Sequence, residues 1–206
     1  MRLSFVFIIF ILSTAFTAPA GPAKKAEVNG YYKTYADYAA NKIELMDEAV
    51  NCDFIAGRLF VRFKKGGQIV KVKCKDIWGF KFKSALFRDF HEKTTDYPCA
   101  VVSTGKIVYY EMGSQHIDAL INNIKIEDGI QDWGHACYFS KTLSSDMMSV
   151  SNPAEFEKFK ATFASDKALI ACMDKDNGKI RSYKACVTAY NKSAQVKKKK
   201  AAAKKK

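Results

Sequence analysis

The most regular pattern of hydrophobic and polar positions lies between Gly57 and Lys75. Apolar and basic residues alternate there on both sides of a glycine pair, Gly66 and Gly67. Alternation with a period of two is typical of a half-buried strand, and a glycine pair between two such runs favours a tight turn. The pattern therefore predicts a β-hairpin with one basic face and one apolar face, which the rest of the chain must cover.

The basic face of this hairpin has two interpretations. Like charges that face each other across paired strands destabilise them, so a phosphate, sulfate or anionic lipid surface would relieve their repulsion. Phe60 lies among the cations, and basic residues mixed with aromatic ones are typical of faces that bind nucleic acids or glycans. Alternatively, the cations protect a solvent-facing or edge strand from aggregation. The candidate residues are Arg58, Arg62, Lys64, Lys65, Lys71, Lys73 and Lys75.

Other segments also have the composition of strands. Residues 51–55 indicate a strand before the hairpin, and residues 76–82 indicate an irregular aromatic strand after it. Residues 100–111 predict a second hairpin that turns at Thr104–Lys106. An antiparallel β-meander of about four to six strands is the simplest arrangement of these segments.

Helical patterns dominate the second half of the chain. A short early helix is predicted from Tyr35 to about Ala40, because Thr34 and Asp37 resemble a capping box. Asn152–Pro153 predicts the start of a later helix with proline at its first position. The remaining helical signals are apolar residues at 117, 120, 121 and 124 behind Ser114 as N-cap, a stripe of Phe156, Phe159 and Phe163, and short helices at 168–173 and 183–190. These signals predict an α+β fold in which several short, mostly C-terminal helices pack on the apolar face of the meander.

The N-terminus has the features of a secretory signal peptide. Arg2 precedes an apolar run from Leu3 to Phe16, and small residues around Ala18 and Ala20 suit cleavage. The apolar run is shorter than the ~20 residues that span a bilayer. We therefore expect an exported protein, periplasmic or secreted, with no transmembrane span after cleavage.

Composition then divides the chain into four parts. Residues 1–20 are the predicted signal peptide, 21–29 a mobile linker, 30–195 one α+β domain, and 196–206 a disordered lysine-rich tail. The tail carries more than half of the net charge of +13 in the lysines Lys197, Lys198, Lys199, Lys200, Lys204, Lys205 and Lys206. Such a tail binds anionic glycans, lipid surfaces or nucleic acids by non-specific electrostatics, at about 1 kcal/mol per lysine near a membrane. The alternative is a tail that only keeps the protein soluble.

The chain has six cysteines, and an even number favours disulfides in an oxidising compartment. Cys172 and Cys186 flank a polar turn, so we predict that they pair, which stabilises the fold by roughly 3 kcal/mol. The other candidates for disulfides are Cys52, Cys74, Cys99 and Cys137, whose partners the sequence leaves open. No pair has the C-x-x-C spacing of a zinc knuckle or a thioredoxin-like motif.

Signals for catalysis or metal binding are weak. Residues 174–178 lack the glycine and carboxylate spacing of a calcium loop. Asp132, His135 and Cys137 lie close in sequence but lack a repeated spacing of metal ligands. Cys99 could pair with His91 or His135, although an even cysteine count favours disulfides over a free nucleophile. His116 falls on the polar side of its helix and is expected to be exposed. We therefore predict no catalytic site, metal or cofactor.

Three short stretches of the sequence resemble those of a known group of proteins. The pattern G-x-Y-x-T-x-x-D-Y-x-x-N-K over residues 30–42, the sequence Ile77–Phe80 after the hairpin, and Tyr190–Lys192 near the end resemble small exported proteins of uncharacterised function from Bacteroidetes-type bacteria. The resemblance implies a compact exported protein and carries no catalytic residues to this chain.

Three hypotheses of function follow from the sequence. The first is an exported, non-enzymatic binding or structural protein. The second is a binder of polyanions or of the anionic envelope surface, which uses the lysine-rich tail and the basic hairpin. The third is a hydrolase whose site is built from residues distant in sequence.

Overall fold

A computed structural model describes residues 27–92, 95–124, 137–175 and 180–203. Its architecture is α+β, as the sequence predicts, with two antiparallel sheets and five helices in these ranges. The strands are β1 (Asn29–Tyr32), β2 (Glu44–Met46), β3 (Glu48–Ile55), β4 (Arg58–Lys65), β5 (Gln68–Lys73), β6 (Gly79–Phe82), β7 (Ala85–Glu92), β8 (Thr95–Ser103), β9 (Val108–Met112), β10 (Cys137–Ser140) and β11 (Met148–Val150). The helices are α1 (Tyr35–Ala39), α2 (Gly113–Ile121), α3 (Pro153–Thr162), α4 (Lys167–Asp174) and α5 (Ile180–Ala203).

The large sheet has eight strands in the order β11-β10-β9-β8-β7-β6-β1-β2. From β6 to β11, neighbours in the chain are neighbours in the sheet, which is the predicted meander. The prediction of four to six strands in one sheet was nevertheless too small. β1 and β2 extend the meander beyond β6, and β3, β4 and β5 form a separate three-stranded sheet. The alternation of apolar and polar residues predicts each strand separately, but it does not indicate which strands lie in the same sheet.

The predicted hairpin is confirmed as β4 and β5. Gly66 and Gly67 have φ angles of +57° and +78°, which a two-residue turn between such strands requires and which glycine adopts without steric cost. Lys65 and Gln68 close the turn as a pair. Leu59, Val61 and Phe63 of β4 are fully buried, so the hairpin does present one face to the core.

The two halves of the large sheet are covered by different elements. Leu59, Val61 and Phe63 of the small sheet pack with residues of β6 and β7, including Phe80 and Phe87, whose rings stack 5.2 Å apart. Helices α3, α4 and α5 cover the β9–β10 half. Val102 contacts both clusters and links the two cores. The C-terminal helices therefore cover only part of the sheet, and the small sheet together with α2 packs against the β6–β7 part.

Helix ends agree with the sequence where a side chain caps them. The Thr34 hydroxyl accepts a hydrogen bond from the Asp37 backbone N–H, and the Asp37 carboxylate accepts one from Thr34, which confirms the capping box of α1. Asn152 caps α3 through Glu155 N–H, with Pro153 at the first position.

The predicted cap of α2 is wrong. The helix starts at Gly113 directly after β9, so Ser114 lies inside its first turn and Met112 takes the cap position without a side-chain hydrogen bond.

The last helix is longer than the sequence suggests. α5 continues to Ala203 through most of the segment that we expected to be disordered. Lysine and alanine both favour helix, and lysines near a helix C-terminus interact favourably with its dipole, which accounts for the extension. None of the helices in the described ranges has the length and apolar character needed to cross a bilayer.

The core between the sheet and α3 yields a stability prediction. Phe159 is fully buried, and its ring lies 4.6 Å from that of Phe139 and 4.7 Å from that of Phe163. Phe159→Ala leaves a cavity there, so we expect the free energy of unfolding in urea to fall by about 3 to 5 kcal/mol. Phe54→Ala removes the same atoms from a side chain that is 50% exposed and should cost less than about 1 kcal/mol. Equal losses for the two variants would contradict the packing described.

Candidate functional site

The basic hairpin face is partly neutralised by acids that sequence reasoning missed. Arg62 forms an ion pair of 2.5 Å with Asp53 of β3. Lys64 donates a 3.0 Å hydrogen bond to Glu48, also of β3. Strand β3 lies beside β4 and so places its carboxylates next to these cations, which relieves the expected repulsion within the protein itself.

Four cations of this face have no ion pair within the described residues. Lys65 ends β4 at the turn, and Lys71 and Lys73 lie in β5, the outermost strand of the small sheet. Lys75 lies instead in the short 3-10 helix Cys74–Asp76, so the basic face of the hairpin ends at Lys73 and not at Lys75 as predicted. The Lys71 ammonium sits 4.4 Å from the centroid of the Phe60 ring, a cation–π contact. The four are Lys65, Lys71, Lys73 and Lys75.

A cluster of charged groups joins the two sheets at the start of β4, and we call Arg58, Asp89, His91 and Asp96 the inter-sheet cluster. Asp96 of β8 is fully buried. Its carboxylate accepts a hydrogen bond of 3.0 Å from Leu59 N–H and lies 2.6 Å from His91 Nδ1. Arg58 Nη1 lies 3.4 Å from the same carboxylate. Burial alone would raise the pKa of Asp96, but these hydrogen bonds and charges hold it below its ordinary value.

Within the inter-sheet cluster, the pKa of Asp89 is shifted in the opposite direction to that of Asp96. Burial, and secondarily the charge of Asp96, raises the pKa of Asp89 to about 7. One of its carboxyl oxygens is buried without a hydrogen-bond partner among the described residues. Two carboxyl groups on neighbouring strands therefore titrate in different pH ranges. Such separation is typical of functional sites, although structural ion clusters show it as well.

Helix α5 is fixed to the body of the protein at Asn191. This buried side chain accepts a hydrogen bond from Ile107 N–H and donates to Ile107 O and Ser103 Oγ. Gly105 makes the contact possible, because a Cβ atom there would lie 2.6 Å from the Asn191 side chain. The turn between β8 and β9 therefore holds the helix at a defined residue.

A second set of polar contacts supports the same anchor. The Tyr190 hydroxyl and the Lys106 ammonium both donate short hydrogen bonds to one oxygen of the Asp166 carboxylate. Lys106 also donates to the Tyr190 hydroxyl at 2.7 Å. After Asn191, the side chains from Lys192 to Val196 are exposed except for half-buried Ala194, so the helix leaves the body there.

The lysine-rich segment continues this anchored helix. Lys197, Lys198, Lys199 and Lys200 lie in α5, whereas Lys204, Lys205 and Lys206 lie outside the described residues. At 1.5 Å per residue, the part of α5 after Asn191 is about 18 Å long.

The predicted disulfide is confirmed between Cys172 of α4 and Cys186 of α5. The other four candidates are free thiols, contrary to the expectation that all six cysteines are oxidised. Cys74, Cys99 and Cys137 are buried in three different apolar clusters, and Cys52 is half-buried. Burial raises the pKa of each, to about 12 for Cys52, so these thiols are poor nucleophiles.

The histidines differ from what the sequence suggests. His116 is buried rather than exposed, and its Nε2 lies 2.8 Å from Glu111 Oε2, because α2 follows β9 without a loop. Cys99 pairs with Arg88 and His91 with Asp96, so Cys99 and His91 point to opposite faces of the sheet and cannot act together. Asp132 and His135 lie outside the described residues. Within the described ranges, no group of side chains could hold a metal ion.

Comparisons of this chain with models of protein families, with curated proteins and with solved structures found no match.

The inter-sheet cluster predicts how stability depends on pH. An unfolded chain ionises Asp89 near pH 4, but the folded protein ionises it near pH 7, so the fold loses stability as the pH rises between these values. Asp89→Asn removes this loss. We expect its free energy of unfolding to exceed that of the wild type increasingly from pH 4 to 7, by up to about 4 kcal/mol and by less where water reaches the carboxyl group.

Urea denaturation at several pH values measures this difference. Asp96 is present in both proteins, so its own loss of stability at low pH cancels in the comparison. The difference should be constant above pH 8. Parallel pH profiles for the two proteins would show that Asp89 is not protonated in the fold.

Proposed function

We propose that this is an exported protein that binds anionic surfaces through the lysine-rich end of α5. The observation that carries the proposal is that the lysine run belongs to the same helix that the disulfide and Asn191 fix to the domain. The folded domain then serves as the carrier that presents this charged helix.

The physical basis is charge density. Four consecutive lysines in a helix occupy about 6 Å along its axis, which is less than the Debye length at physiological salt. Their charges therefore add rather than being screened from one another. Neutralising phosphates or sulfates on a partner releases counterions, which gives binding that weakens steeply with salt.

The alternative explanation for the lysines is that they only stabilise the helix end and keep the protein soluble. That role needs no partner and predicts no binding. The two explanations separate in a measurement of affinity against salt concentration.

The test uses the chain from residue 21 to 206 and a short duplex DNA, with heparin and anionic vesicles as further probes. Replacing Lys197–Lys200 by glutamine keeps the helix-forming character. We expect this change to weaken DNA binding at 50 mM salt at least tenfold, and to reduce the slope of log affinity against log salt by about 3 to 4. A chain that ends at Val196 should bind more weakly still.

A matched control removes the same charge from elsewhere on the surface. Lys42, Lys141, Lys158 and Lys167 are exposed and scattered over the domain, so replacing all four by glutamine lowers the net charge equally. This variant should retain most of the affinity. Equal losses of DNA affinity in the two variants would show that only the net charge of the protein matters, which contradicts the proposal. Undiminished DNA binding by the chain that ends at Val196 would also overturn it.

A hydrolase is the second candidate, and the inter-sheet cluster favours it. The Nδ1 of His91 is held by the buried Asp96, so the other ring nitrogen is oriented on a half-exposed side chain. Asp89, with its pKa near 7, lies two residues away on the same strand and face. A positioned histidine beside a protonated carboxyl group suits general acid–base catalysis.

The hydrolase candidate is tested by ester hydrolysis. With p-nitrophenyl acetate as substrate, we expect His91→Gln to lower the rate at least tenfold and Asp89→Asn to change the pH dependence near 7. Lys158→Gln serves as the control for reactions of surface amines. A rate that is unchanged in His91→Gln would remove this candidate.

A further inference from the structure

The outer edge of β5 is a surface separate from α5, and what binds there does not depend on the proposed function. Within the described residues, β5 pairs with β4 on one side and with no strand on the other. Its central residue Lys71 is exposed, and Ile69 is 53% exposed. An unpaired strand edge is a template for another strand.

The hydrogen bonds of β4 show which residues of β5 offer their backbone. Lys64 O accepts a 2.9 Å bond from Asp47 N–H, on the side away from β5. Lys64 pairs with Ile69, and in an antiparallel ladder both members of such a pair turn their backbone groups away from each other. Ile69, and by alternation Lys71 and Lys73, therefore direct N–H and C=O groups to the open edge.

The side chains along this edge determine which sequence of an added strand would be complementary to β5. Ile69, Lys71 and Lys73 lie on the outer face of the small sheet, and the two lysines have no ion pair among the described residues. Val70 and Val72 lie on the inner face and are half-buried. A strand added here would place every second side chain beside the lysines and the others beside the valines.

A second copy of β5 does not suit this edge. Two β5 strands in antiparallel pairing would bring lysines beside lysines, which is destabilising. A nucleic acid would neutralise the two lysines, but it would leave the backbone N–H and C=O groups of this edge without hydrogen-bond partners. Acidic residues that alternate with apolar ones satisfy the charges, the valines and the backbone together.

We propose that the open edge of β5 binds an extended peptide segment, with acidic residues alternating with apolar ones, as an antiparallel fourth strand of the small sheet. Peptide recognition of this kind takes its affinity from main-chain hydrogen bonds and its specificity from alternate side chains.

The probe is a fluorescent nine-residue peptide that alternates valine and glutamate, measured by anisotropy with the chain from residue 21 to 206. In the proposed register, glutamates lie opposite Ile69, Lys71 and Lys73, so their N–H groups face β5. N-methylation of the glutamates removes these donors, whereas N-methylation of the valines removes donors that face solvent. We expect the first modified peptide to bind at least tenfold more weakly than the second.

These two peptides carry the same charge, so any attraction to the lysine-rich end of α5 affects them equally. The comparison therefore tests the strand edge separately from the proposed function. Equal affinities, or a greater loss for the peptide methylated on valine, would overturn the proposal. So would complete displacement of the unmodified peptide by duplex DNA from a chain that ends at Val196.

A charge reversal on the protein tests the lysines. Lys71→Glu with Lys73→Glu should weaken binding of the valine–glutamate peptide at least tenfold and create binding of a valine–lysine peptide. Lys42→Glu with Lys158→Glu changes the net charge equally at exposed sites outside the small sheet and should leave both affinities within twofold. Circular dichroism confirms that both variants are folded. Failure of the charge-reversed protein to change its preference would contradict the assigned surface.

Discussion

The buried carboxylate of Asp96 fixes the position of the small sheet against the large one. A charge without water is costly unless hydrogen bonds and opposite charges compensate it. Leu59 N–H, His91 and Arg58 supply that compensation, and two of these groups belong to the start of β4. The position of β4 in turn determines where its apolar residues meet β6 and β7. This polar contact therefore holds the first residues of the hairpin against the large sheet, where its apolar residues pack together with α2.

Much of the local structure was predictable because its causes are local. The turn at Gly66 and Gly67, the caps at Thr34 and Asn152, and the disulfide between Cys172 and Cys186 each depend on residues close in sequence. The pairing of β7 with β8 escaped prediction for a physical reason. Arg88 and Asp89 interrupt the apolar alternation of β7, since Arg88 packs over the Trp78 ring and Asp89 is partly buried.

The candidate sites were less predictable because they depend on contacts between distant elements. The sequence identified the basic face of the hairpin, but the acids that neutralise Arg62 and Arg58 come from β3 and β8. His116 was placed on the solvent side of α2, and only the direct junction of β9 with α2 brings Glu111 to it. No sequence pattern indicated that Asn191 anchors α5, because its partners lie in a turn 84 residues earlier.

The four free thiols, three of them buried, have a consequence for how the chain reaches its native state. In an oxidising compartment, every cysteine of the unfolded chain is accessible and able to pair, yet only the pair 14 residues apart is native. A wrong bond to Cys74, Cys99 or Cys137 would keep a strand out of its cluster, whereas burial of these thiols makes thiolate, and hence exchange, scarce. Under oxidising conditions, oxidation and folding therefore compete, and the yield of native protein depends on whether the strands are buried before their sulfur atoms react.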